Sequence, residues 1–101
     1  MITPKLYGNE TFKDLLRYRK TCGTYIIGLT AYRYMCGLDT DEHAQVQKQV
    51  DKLKKIIYTV CVKMAHGDEQ KGFHRYMVFM KRIDQKVDAI DDIVYAGCKC
   101  L

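Results

Sequence analysis

The side chains best equipped for chemistry in this chain are five cysteines and three histidines. Two of the thiols close the sequence in Cys98-Lys99-Cys100-Leu101. That tetrapeptide fits the loose C-a-a-X pattern of prenylation, with a terminal leucine of the geranylgeranyl type. Lysine in the first aliphatic slot departs from the pattern, so the expectation is a frayed tail with incidental thiols and no lipid anchor at Cys98. Two thiols one residue apart are also too few to make a metal site. Cys22, Cys36 and Cys61 are irregularly spaced, and an odd total does not form a disulfide framework. Free thiols of this kind imply a reducing, cytoplasmic compartment.

His43, His66 and His74 do not share a helical face, and His66 stands where a helix C-terminus favours a cation. The chain has no HExxH, CxxC pair, Walker loop or glycine-rich turn after a strand. Nothing singles out a nucleophile, a base and an acid, so the expectation is a protein without catalytic activity, cofactor or metal.

The elements that would carry these residues are easier to read. With 101 residues, 48% apolar and 29% charged, the composition suits one globular domain. The longest apolar stretch, Thr24 to Met35, is 12 residues and is interrupted by Gly28 and Arg33. A membrane-spanning helix needs about 20 apolar residues, so no span is expected. The opening Met-Ile-Thr-Pro-Lys has no signal-peptide character. Gly37 and Gly67 read as left-handed helix caps, and Asp39 and Asp68 as N-caps that follow them. Asp39 and Glu42 also have capping-box spacing.

Between a leader at 1–9 and a tail at 97–101, three helices are expected over about 10–36, 40–66 and 69–96. The second carries Val46, Val50, Leu53, Ile57, Val60 and Met64, at steps of 4, 3, 4, 3 and 4. The third carries Phe73, Tyr76, Met80, Ile83, Val87, Ile90 and Val94 in the same rhythm. These are heptad seams, each giving its helix one apolar side. The first helix has a coarser seam of Leu15, Tyr18, Cys22, Tyr25, Leu29, Tyr32 and Cys36. Its β-branched and aromatic residues at 24–34, with Gly23 and Gly28, also admit a strand. A lone strand would have no partner, so helix is preferred. The fold expected is all-α: three long helices in an up-down-up bundle, open to association as a dimer or higher oligomer.

Two sets of residues are left over once the seams are assigned. Ile27, Tyr34 and Met35 on the first helix, Tyr58 and Val62 on the second and Val78 on the third lie off the seams, as candidates for a protein interface. Arg17, Arg19 and Lys20, then Lys52, Lys54 and Lys55, then Lys81 and Arg82 fall at similar heights in an up-down-up bundle and form a basic belt. Asp84, Asp88, Asp91 and Asp92 stand towards a helix C-terminus, where the macrodipole disfavours them. That placement points to cross-helix pairs or an external basic partner, against the simpler alternative of a solvated face.

The net charge of +5 favours an anionic partner. The function expected is a non-enzymatic, self-associating adaptor, regulator or inhibitor that presents a helix face to a protein, as many phage and viral accessory factors do. The alternative is a nucleic-acid binder that uses the belt, with Tyr7 or Tyr18 for stacking.

Overall fold

A computed structural model describes residues 8–99 of the chain, without the side chains of residues 34, 35, 91 and 94–99. It contains three helices: α1 (Phe12–Met35), α2 (Thr40–Met64) and α3 (Glu69–Lys99). There is no strand among the described residues, and 24–35 is helical. None of these helices is long and apolar enough to cross a membrane.

Each helix begins on a side-chain cap. Thr11 Oγ1 accepts from the Asp14 N–H at 3.2 Å, and Asp14 Oδ2 accepts from the Thr11 N–H at 3.1 Å. Asp39 and Glu42 make the same reciprocal pair at 2.8 and 3.3 Å. Each box satisfies two backbone donors that the helix leaves unpaired. Asp68 Oδ1 accepts from the Lys71 N–H at 3.1 Å at the start of α3.

The helices also stop for local reasons. Gly37, past the end of α1, has φ 54°. At the end of α2 the left-handed residue is His66, with φ 55°, followed by Gly67 with φ 84°. The His66 N–H donates to Lys63 O at 3.1 Å and the Gly67 N–H to Val62 O at 3.0 Å. This is the Schellman arrangement, with histidine in the position usually given to glycine. α3 has no comparable stop at Gly97 and continues to Lys99, beyond the expected end at 96.

Named contacts fix the directions of the helices. Leu15 of α1 clusters with Val60 and Met64 of α2, so the start of one meets the end of the other. Tyr58 of α2 meets Tyr76 of α3, ring centroids 5.7 Å apart and edge to face. A Cβ on Gly72 would lie 2.6 Å from Val62 Cα, so α3 lies against the backbone of α2 there. Both neighbouring pairs are therefore antiparallel. α1 and α3 thus run in the same general direction, and they meet where Gly23 faces Ile83 and Phe79, at 2.7 and 2.9 Å from its notional Cβ. The result is an elongated up-down-up bundle measuring 50 × 24 × 20 Å.

The α2 seam is buried throughout: Val46, Val50, Leu53, Ile57, Val60 and Met64, together with Cys61. The α1 seam differs from its sequence pattern. Its buried residues are Leu15, Cys22, Ile26 and Thr30, while Tyr25 and Leu29 are half-buried and Tyr32 and Cys36 are exposed. An α-helix has 3.6 residues per turn, so a face that is strictly heptad at one end drifts by about 20° per heptad. Over α1 that drift moves Tyr32 and Cys36 out and Ile26 and Thr30 in. The Thr30 hydroxyl donates to Ile26 O at 2.8 Å, which satisfies the polar group that the drift buries. On α3, Met80 and Ile83 are buried as expected, but Phe73 is 52% exposed. Gly72 takes the contact with α2 at that level, and its neighbour Phe73 is turned outward.

Candidate functional site

The cationic side chains divide between the two flanks of α3. On the α1 side, Arg19 and Lys20 come together with Arg82 and Lys86 around a cleft of about 590 Å3. Leu16, Phe79, Ile83 and Ala89 supply its apolar surface. Arg19 is half-buried, its guanidinium carbon 4.7 Å from the centroid of the Phe79 ring. A cation over an aromatic face at this distance is attracted by the ring quadrupole, so Phe79 fixes where Arg19 points. Arg19 Nε is buried without a hydrogen-bond partner. Arg75 and His74 continue the basic surface beyond Arg19 and Arg82 in an adjoining depression of about 260 Å3.

None of these cations forms an ion pair among the described residues. Among the described residues the one ion pair is Lys63 with Glu10, at 3.8 Å. Among the described residues Asp84, Asp88 and Asp92 form no cross-helix ion pair either, and the side chain of Asp91 lies outside them.

The second flank lies between α2 and α3. Lys54, Lys55, Tyr58, Thr59 and Tyr76 line a groove of about 470 Å3 there. Phe73 extends its aromatic wall, with its ring centroid 6.4 Å from that of Tyr76. Burial raises the Tyr76 hydroxyl above its ordinary pKa, and Asp84 and Cys61 add to the rise.

The basic belt read from sequence is thus brought together in part. Arg19, Lys20 and Arg82 share the α1–α3 cleft, while Lys54 and Lys55 belong to the α2–α3 groove. Lys52 and Arg17 are exposed outside both. Lys81 faces a shallow depression with Met77, Val78 and Asp84. Arg75 and Lys86 escaped notice, although steps of 7 and 4 put Arg75, Arg82 and Lys86 on one face of α3.

The candidate apolar anchors are dispersed. Ile27 is half-buried and packs on the core, and Val62 is half-buried against Gly72. Tyr58 is half-buried beside Tyr76, and Val78 is exposed. Tyr34 and Met35 lie in α1, but their side chains are outside the described residues. Larger exposed apolar groups are Phe12, Leu16, Phe73, Met77 and Ile93.

The thiols sort by depth. Cys22 and Cys61 are buried and free. Burial pushes Cys22 up to about 11. Burial also raises Cys61, an effect that the positive charges of Arg19 and Arg75 partly offset. Cys36 is exposed. Cys100 and the side chain of Cys98 lie outside the described residues. His43, His66 and His74 are all exposed. Among the described residues no three His, Cys, Asp or Glu side chains gather in a way that could hold a metal ion.

Comparison with protein-family models, with curated proteins and with solved structures found no match for this chain.

Proposed function

We propose that this protein is a non-enzymatic helical adaptor or regulator whose α1–α3 cleft binds an acidic, amphipathic protein segment. The observation that carries this reading is the pairing of an apolar floor with clustered cations. Leu16, Phe79 and Ile83 line the cleft, and Arg19, Lys20, Arg82 and Lys86 surround them with no ion pair among the described residues. A helix laid in such a groove buries its apolar side chains and sets its flanking acids against the cations. Arg19, held over Phe79, is an arginine with its position set in advance, which lowers the ordering cost of a charge-assisted contact.

The test uses a fluorescein-labelled synthetic helix with leucines on one face and glutamates on its flanks. Anisotropy will show saturable binding, and Arg82→Glu with Lys86→Glu will weaken it at least tenfold, or about 1.4 kcal/mol. Lys52→Glu, outside the cleft, will not. Equal binding by wild type and the cleft variant, with helix content unchanged, refutes the reading.

A second reading, a nucleic-acid binder, draws on the α2–α3 groove, where Lys54 and Lys55 stand beside Tyr58 and Tyr76. Phosphate contacts together with aromatic stacking would give binding that falls steeply with salt. Lys52→Glu, Lys54→Glu and Lys55→Glu together would then abolish capture of a labelled single-stranded oligonucleotide.

A further inference from the structure

α3 carries a second exposed surface, on which two acids follow a pair of apolar side chains and Lys81 stands between them. Phe73 and Met77 are 52% and 51% exposed, and Asp84 and Asp88 follow them at steps of 7 and 4. Neither aspartate forms an ion pair among the described residues. At 3.6 residues per turn these four residues centre roughly 170° around α3 from Arg82 and Lys86. One helix thus presents an acidic, apolar stripe on one side and half of a basic, apolar cleft on the other.

From this complementarity we infer that the occupant of the cleft is the α3 stripe of a second copy of the same chain. The inference rests on the reading of the cleft given above and names its ligand. The axial spacing agrees. Met77 precedes Asp84 by seven residues and Phe79 precedes Lys86 by seven, about 10.5 Å in each case at 1.5 Å per residue. With the two α3 helices parallel and offset by two residues, Met77 lies over Phe79 and Asp84 over Lys86. Ile93, 71% exposed and one turn beyond Ala89 on the same face, lengthens the apolar floor of the receiving side.

The two surfaces are different, so the contact is heterologous: the stripe of one copy enters the cleft of the next, whose own stripe remains free. Assembly therefore continues until it closes as a ring or grows as a filament. Because stripe and cleft lie on opposite sides of α3, a twofold dimer cannot satisfy both at once.

The test is a complementation experiment on the full chain, followed by light scattering at tens of micromolar in low salt. Wild type will form species larger than a dimer. A cleft variant (Arg82→Glu, Lys86→Glu) and a stripe variant (Asp84→Lys, Asp88→Lys) will each be monomeric, with helix content unchanged by circular dichroism. Mixed one to one, they retain one intact stripe and one intact cleft between them, and will form a dimer that grows no further. A wild type that stays monomeric, variants that assemble like wild type, or a mixture that stays monomeric overturns the inference. If the synthetic acidic helix still binds wild type and fails to bind the cleft variant, the cleft reading survives and a foreign segment replaces the second copy. If the cleft variant binds that helix as well as wild type does, the reading of the cleft falls too.

Discussion

Thiols in this protein differ through their surroundings. Cys22 and Cys61 sit in the core with no solvent access, while Cys36 ends α1 in the open. The thiolate is the reactive form, and burial suppresses it. Cys36 will therefore react with a thiol reagent quickly in the native state, and Cys22 and Cys61 only on unfolding. Fast native labelling of Cys22 would contradict the packing of α1. The same burial couples to alkaline pH. The folded state holds the Cys22 thiol neutral up to about 11, above its ordinary 9.0. Its contribution to stability is complete below 9.0 and is lost as pH rises towards about 11. Cys61 and Tyr76 are raised in the same direction. The alkaline decline in stability, followed by chemical denaturation, will be shallower in Cys22→Ala than in wild type. Equal slopes would show that Cys22 titrates freely.

At the scale of the helix, two glycines make opposite predictions. Gly72 lies where any Cβ would meet the α2 backbone, whereas Gly28 faces open space. Gly28→Ala removes the entropic cost of glycine in a helix and will stabilise by about 0.5–1 kcal/mol. Gly72→Ala gains the same propensity but must push α3 off Val62, and overpacking of that kind costs about 1–3 kcal/mol. A higher Tm for Gly28→Ala with a lower one for Gly72→Ala is the expected pair. Stabilisation by both would show that the helices approach less closely. These glycines also mark the limit of what sequence periodicity conveys. The seam of α2 was legible in full, though the helix stops at Met64 and not at 66, because a central helix in contact with two neighbours presents one broad apolar face of Val, Leu and Ile. Its N-cap box at Asp39 and Glu42 was equally readable, since that motif is local. α1 was legible as a helix but not in phase, because its tyrosines recur on every side and only helical drift decides which are buried. Phe73 was misplaced because its exposure follows from Gly72, a contact that no single-helix pattern contains. The charges were recognisable as a set. Their division between two grooves was not, because which helix flanks which side of α3 is a property of the bundle's hand.

For the molecule as a whole, the balance of charge is one-sided. Among the described residues a single long ion pair stands against a net charge of +5, with several cations gathered along one cleft. Ions at about 0.15 M screen exposed charges beyond about 8 Å. Screening here relieves more repulsion than it removes attraction, so Tm at low protein concentration will rise as sodium chloride is increased from about 10 to 150 mM. A fall in Tm would reveal stabilising pairs within the bundle.

The contact between α1 and α3 has a consequence for the order in which the protein comes into being. α1–α2 and α2–α3 are neighbours joined by the short turns at 36–39 and 65–68, and their pairing closes small loops. The α1–α3 contact spans the whole of α2 and must wait for it, since distant contacts carry the larger closure entropy. Phe79, Arg82 and Lys86 also leave the ribosome after α1 and α2. A growing chain therefore exposes an α1–α2 hairpin with Leu16 and Arg19 uncovered, and has no cleft at all. Recognition must wait until α3 has been made and has docked, and whatever occupies the cleft cannot capture through it a chain that still lacks α3.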